Sequence, residues 1–206
     1  MRLERLLKRL NNNGRRGDYP LALDIKSISA NSKTVRDGSL FVAVEGTKSR
    51  GSDFIAEALR NGALCVVGSR PKTEVSFKNV PFIKVRNSRL ALAVLADEFF
   101  DHPSKKLKVA GVTGTNGKTT ITYLIRDILK QADLSSGIIG TINYCYGDKV
   151  LPAVNTTPGP IELQSLLNDM AKSACRYCVM EVSSHALSQE RTAGIDFESA
   201  IFTNLT

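Results

Sequence analysis

Tryptophan is absent from the 206 residues, aromatic side chains make up only 6% of them, and histidine occurs twice. Without an aromatic and basic stripe, the chain lacks the stacking platform on which single-strand nucleic acid binders rely. No apolar run approaches the roughly 20 residues that a membrane-spanning helix needs, and no stretch has the form of a signal-peptide core. The expected location is therefore the cytoplasm, with no membrane insertion. The four cysteines, Cys65, Cys145, Cys175 and Cys178, include one Cys-x-x-Cys pair. Zinc would need two further ligands at recognisable spacing, and a redox pair would sit at a helix start instead of leading into an apolar strand. Reduced, ordinary thiols are expected.

What is present is the composition of a globular protein, 42% hydrophobic, with a formal net charge of +8. A positive balance suits anionic ligands such as nucleotides. Because the basic residues are scattered and interleaved with acidic ones, no nucleic acid partner is expected, and the chain is expected to be a monomer. Leu3, Leu6, Leu7 and Leu10 share one face of a basic N-terminal helix. A stripe this short reads as packing on the domain and not as a membrane-surface helix.

Two segments with different rhythm follow. Up to residue 105 short strands alternate with helices: Asp24 to Ser29, Leu40 to Val44, Ala63 to Val67 and Val80 to Val85 read as strands. Asp53 to Asn61 reads as a helix, and a second helix carries Leu90, Val94 and Leu95 on one face. The stretch Asp101-His-Pro-Ser-Lys-Lys106 breaks the periodicity and reads as a linker. Beyond it come longer βαβ units. Leu107 to Thr113 is a strand, and Ile121, Leu124, Ile125, Ile128 and Leu129 recur at helical spacing. Ile138 and Ile139 mark a strand, Pro160 opens a helix with Leu163, Leu166, Leu167 and Met170 on one face, and Tyr177 to Val182 and Ala200 to Thr203 are further strands. The expected fold class is α/β, with domains 1–105 and 106–206, the second built on a parallel sheet with its ligands at the carboxyl ends of the strands.

Gly111-Val-Thr-Gly-Thr-Asn-Gly-Lys-Thr-Thr120 falls between such a strand and such a helix. Glycines let successive backbone N–H groups curl around phosphate oxygens at a helix start whose dipole favours anions. Lys118 would reach the β and γ phosphates and the Thr119 hydroxyl would ligate Mg²⁺. The strict Gly-x-x-x-x-Gly-Lys spacing is not met, because Val112 stands where it requires glycine. Glu181 ends a buried strand, where a carboxylate could meet that Mg²⁺ or lie exposed at the strand end. Asn155-Thr-Thr157 either caps the following helix or holds acid groups of a ligand. His185 reads as a structural histidine.

Together, Thr113-Gly-Thr-Asn-Gly-Lys-Thr-Thr120, Asn155-Thr-Thr-Pro158, Glu181-Val-Ser-Ser-His-Ala-Leu187 with Gln189 and Arg191, and Phe202-Thr-Asn-Leu-Thr206 resemble the Mur ligases. In the first segment, Ser32-Lys33 followed by Gly38-Ser-Leu-Phe-Val-Ala43 and Gly46 is similar to that family's uridine-nucleotide-binding domain, although Asn31-Ser-Lys33 stands where the family usually has Asp-Ser-Arg. The resemblance implies a small N-terminal α/β domain that binds UDP-MurNAc, then an incomplete P-loop ATPase domain. It implies an ATP- and Mg²⁺-dependent ligase that activates UDP-MurNAc-L-Ala-D-Glu as an acyl phosphate and adds a diamino acid, meso-diaminopimelate or L-lysine, as third residue. Another Mur-type ligase, cyanophycin synthetase and a non-catalytic precursor-binding module are the alternatives. By the same resemblance Gly114, Thr115, Asn116, Gly117, Lys118, Thr119 and Thr120 would bind ATP, with Lys118 and Glu181 catalytic and Thr119 and Glu181 on the metal. Ser32, Thr47, Lys48 and Ser49 would contact the uridine nucleotide, Asn155, Thr156, Thr157, Ser183, Gln189 and Arg191 would hold the muramoyl peptide, and Ala30 would be a further substrate-binding position. The family's metal-binding histidine segment, its carbamylated lysine and its amino-acid-binding domain have no counterpart here, so the chain is expected to be an N-terminal fragment and inactive alone.

Overall fold

The computed structural model describes residues 1–10, 22–46, 49–71, 77 and 80–205. Thr47 and Lys48 lie outside the described residues. The chain divides into two compact units, Met1–Phe99 and Phe100–Thr206.

In the first unit, strands β1 (Ser27–Ser29), β2 (Ser39–Ala43), β3 (Ala63–Gly68) and β4 (Phe82–Lys84) form an all-parallel sheet in that order. The turn into β2 needs a left-handed residue, and Gly38 supplies it at φ +89°. Every residue of β2 is buried, as expected of a central parallel strand covered on both faces. Helix α2 (Ile55–Arg60) covers one part of the sheet with Ile55 and Ala58, which join Val35, Phe41, Ala43, Ala63 and Val66 in one core. Helix α3 (Ser88–Phe99) buries Ala91, Leu92, Leu95 and Ala96 and leaves Leu90 exposed, so the face expected from Leu90, Val94 and Leu95 is rotated toward the smaller alanines. Those alanines let the helix approach the sheet closely. Helix α1 (Leu3–Lys8) buries Leu3 and Leu6 and packs on α3, where Arg5 meets the buried Glu98 at 2.7 Å. Its apolar stripe is consumed by packing.

The second unit is a six-stranded sheet whose members are β5 (Lys108–Thr113), β6 (Ser136–Ile139), β7 (Asn143–Tyr146), β8 (Lys149–Pro152), β9 (Tyr177–Glu181) and β10 (Phe197–Phe202). The spatial order is β10-β5-β9-β6-β7-β8. Four members run parallel, while β7 and β8 form an antiparallel hairpin at one edge that the sequence pattern did not reveal. Helix α5 (Pro160–Lys172) buries Leu163, Leu166, Leu167 and Met170 against Val109, Ile139, Cys178 and Met180. Pro160 at its first position fixes φ where no N–H partner is needed. The stretch read as a linker belongs to this unit: Pro103–Lys106 is a 3₁₀ turn packed on α5, and Ser104 Oγ accepts the Asp196 N–H at 3.0 Å.

Helix α4 (Lys118–Gln131) packs on β5, β6 and β9. Its apolar stripe does not face them fully. Leu124 is 56% and Ile128 67% exposed, whereas Thr122 is completely buried. At about 100° per residue, Lys118, Thr119 and Thr122 define an inner face more than a third of a turn away from the Ile121, Leu124, Ile128 stripe. The polar start of the helix sets its rotation. No helix of the described residues is long and apolar enough to cross a membrane.

Candidate functional site

The glycine loop leaves the carboxyl end of β5. Gly111 is inside that strand, and a side chain there would press on the Phe197 ring, so it serves packing and not the loop. The turn begins at Gly114, φ +131°, and ends at Gly117, φ +83°, which is the residue immediately before α4. L residues rarely adopt either angle, and at Gly114 a Cβ would also collide with Thr203. The first helical bond of α4 is Ile121 N–H to the Gly117 carbonyl, 2.9 Å, which leaves the N–H groups of Lys118, Thr119 and Thr120 directed out of the helix start. The Lys118 ammonium arches over the loop to the carbonyls of Gly114 (2.7 Å) and Thr115 (3.0 Å).

A second segment holds the loop from beneath. Asn204 accepts the Thr115 N–H on its backbone oxygen and the Asn116 N–H on its side-chain oxygen, both at 3.0 Å, and Thr203 donates its hydroxyl to the Asn116 carbonyl at 2.7 Å. Sequence reasoning gave these two residues no role. Their adjacency comes from the parallel pairing of β10 with β5, in which Phe202 lies beside Thr113.

Alternation along β9 sends Cys178 and Met180 toward α5 and Glu181 toward α4. The Glu181 side chain belongs to a residue only 1% exposed, which excludes the reading of a solvated carboxylate at a strand end. Thr119 donates its hydroxyl to Oε2 at 2.9 Å, and Thr141 donates its N–H to Oε1 at 2.8 Å and its hydroxyl to Oε2 at 3.1 Å. A side chain at Gly140 would overlap Oε1. Gly140 and Thr141 follow β6, the parallel neighbour of β9, and they too went unread in the sequence.

The Asn155–Thr157 segment reaches the same place. It does not cap α5, whose cap is Gly159 with no side-chain bond. Thr157, 1% exposed, donates its hydroxyl to the Glu181 carbonyl (2.9 Å) and accepts the Ser183 N–H (3.0 Å). Thr156 Oγ1 lies 3.0 Å from Thr141 Oγ1. Tyr144 donates its hydroxyl to the Asn155 carbonyl at 2.6 Å, and burial pushes its phenol above the ordinary range. Arg191 donates to the Thr157 carbonyl at 2.7 Å and, through Nε and Nη2, to Gln189 Oε1 at 3.1 and 2.8 Å. Ser183 caps the short helix α6 (Ser184–Ser188), accepting the Ala186 N–H at 3.1 Å. His185 is exposed, contrary to the structural reading.

In the first unit Ala30, exposed, follows β1, and Ser49, exposed, lies in the turn after β2, so both occupy the carboxyl edge of the parallel sheet. Ser32 also follows β1, but it is buried and donates its hydroxyl to Glu57 at 2.6 Å. The thiols are free and buried; burial raises Cys65 to about 12 and raises Cys178 further.

An ATP phosphate tail fits the second unit's site: the loop offers outward N–H groups, an adjacent ammonium and a hydroxyl beside a carboxylate. Among the described residues no group of three or more His, Cys, Asp or Glu could hold a metal ion.

Fold, loop and buried carboxylate together define an α/β protein of the nucleotide-binding class. Residues 112–206 match the Mur ligase middle domain and residues 24–100 match the Mur ligase family catalytic domain. The chain belongs to the Mur ligase family, whose members are ATP-dependent and form C–N bonds. It is 43% identical, over its full length, to the UDP-N-acetylmuramoyl-L-alanyl-D-glutamate--2,6-diaminopimelate ligase of Clostridium tetani (strain Massachusetts / E88), of which it spans 42%. A solved structure of a ligase of that same name superposes with a TM-score of 0.80 at 25% identity, covering 100% of this chain and 40% of that one. The MurF ligase of Thermotoga maritima in complex with ADP superposes with a TM-score of 0.56 at 28% identity, over 88% of this chain and 38% of that one. The chain thus spans less than half the length of these relatives.

Proposed function

We propose that the chain is the ATP- and UDP-muramoyl-peptide-binding portion of a ligase that adds a third amino acid to UDP-MurNAc-L-Ala-D-Glu in peptidoglycan synthesis. The name of the Clostridium tetani relative favours 2,6-diaminopimelate over L-lysine. The observation that carries this reading is the position of Glu181, whose side chain meets the nucleotide loop through Thr119 and whose backbone meets the Asn155–Thr157 segment through Thr157. One strand end thereby serves both the phosphoryl donor and its acceptor.

When bound, ATP with Mg²⁺ supplies the phosphoryl group that activates the substrate carboxylate as an acyl phosphate. The chain's residues do the rest of the positioning. Gly114 to Thr120 cradle the phosphates, and Lys118 leaves the loop carbonyls to neutralise charge on the transferring group. Thr119 and Glu181 would hold the metal: Thr119 donates its proton to Glu181 and keeps lone pairs for the ion. Asn155, Thr156 and Ser183 border the acceptor side. Gln189 and Arg191 brace Thr157, and Arg191 keeps one terminal nitrogen bonded to its carbonyl. In the first unit Ala30, Thr47, Lys48 and Ser49 would meet the uridine nucleotide, with Ser32 and Glu57 supporting the turn.

Calorimetric titration of the chain with UDP-MurNAc-L-Ala-D-Glu tests this reading. Saturable binding is expected, weakened at least tenfold for UDP-MurNAc-L-Ala, which lacks the acceptor glutamate. Equal affinities for the two would remove the acceptor assignment.

A further inference from the structure

We propose that Thr141 is a positioning residue that orients the Glu181 carboxylate for magnesium, within a hydroxyl chain running Thr156 to Thr141 to Glu181. The inference rests on the functional reading above and extends it to a residue outside the glycine loop and the Asn155–Thr157 segment. Glu181 accepts on both oxygens, and among the described residues Thr141 alone supplies a donor to each of them: N–H to Oε1 at 2.8 Å and hydroxyl to Oε2 at 3.1 Å. Two bonds from one residue fix both the tilt and the rotation of a carboxylate, which a single bond from Thr119 cannot do.

The direction of the hydroxyl chain follows from counting protons. A threonine hydroxyl has one to donate. Thr141 gives its proton to Glu181, so in the 3.0 Å contact between Thr141 Oγ1 and Thr156 Oγ1 the donor is Thr156. Thr156 therefore presents only lone pairs to any bound ligand and suits an amide N–H, not a carboxylate. Thr119 likewise gives its proton to Oε2, which leaves its lone pairs for the ion. The Gly140 backbone lies so close to Oε1 that the pair Gly140-Thr141 forms a fitted seat for the carboxylate.

The test titrates ATP into the 206-residue chain, with and without Mg²⁺, for wild type, Thr141→Ala and Thr141→Ser, with thermal melts to establish that each variant is folded. Groups that orient a metal's ligands are commonly worth 10- to 100-fold in metal affinity. In wild type Mg²⁺ should tighten ATP binding. Thr141→Ala should lower Mg²⁺ affinity, read also by Mn²⁺ electron paramagnetic resonance, by about tenfold or more. Its Mg²⁺-free ATP affinity should stay within about twofold of wild type, since the phosphate-facing N–H groups are untouched. Thr141→Ser, which keeps the hydroxyl, should restore the metal effect. Wild-type metal response in Thr141→Ala overturns the Thr141 assignment alone, as does equal loss of Mg²⁺-free binding or failure of serine to rescue. Absence of any Mg²⁺ effect in wild type overturns the functional reading, and this assignment falls with it.

Discussion

At Gly140 a single methyl group decides where a carboxylate sits. A Cβ there would overlap Glu181 Oε1, while the backbone has no positive φ to forbid alanine. Gly140→Ala should therefore fold but lose most of the Mg²⁺ enhancement of ATP binding, by about tenfold, the range seen when a metal ligand's support is disturbed. Titration with and without Mg²⁺ reads this; an unchanged enhancement would show that the carboxylate can shift without consequence. Lys118, Thr119 and Glu181 stood out as candidates in the sequence because residue type and local context point to their chemistry. Gly140, Thr141, Thr203 and Asn204 were not, because they reach the site only through the pairing of β6 with β9 and of β10 with β5. Parallel neighbours in a sheet are far apart in sequence, and no local pattern announces them.

Among the elements, α4 shows most clearly how chemistry overrides periodicity. Its apolar stripe reads as a buried face, yet the loop and the Thr119–Glu181 bond turn Thr122 inward instead. Ile128→Lys should thus change the stability of the chain by no more than about 0.5 kcal/mol, as at other exposed positions. Leu167→Ala on α5, fully buried in the core, should cost about 2–5 kcal/mol. Urea unfolding of the two variants makes the comparison, and equal losses would place Ile128 in a packed interior. The β7–β8 hairpin escaped the sequence reading although Tyr144 and Tyr146 lie in its first strand and Gly147 turns at φ +51°. Its consequence for the site is Tyr144, whose hydroxyl fixes Asn155. Tyr144→Phe leaves that carbonyl without this buried donor and should destabilise by about 1–3 kcal/mol.

For the whole molecule, the α/β class with parallel sheets was readable from strand and helix rhythm, while the position of Pro103–Lys106 within the second unit was not. Charge state links the units to pH through their buried thiols. Burial raises Cys65 from 9.0 to about 12 and raises Cys178 as well, so the folded chain retains protons that the unfolded chain releases. The corresponding stability is complete below about pH 9 and falls as pH rises toward 12. The urea midpoint should decline across that window, and replacing Cys65 by alanine should flatten the decline.

Gly114 to Thr120 and Glu181 are proposed to form a magnesium-assisted ATP site, and calorimetric titration of ATP into the folded 206-residue chain decides it. Saturable binding is expected that tightens with Mg²⁺, weakens at least about tenfold in Lys118→Ala, and loses its Mg²⁺ dependence in Glu181→Gln. A folded chain that takes up no ATP, or takes it up equally well without Lys118, would contradict it.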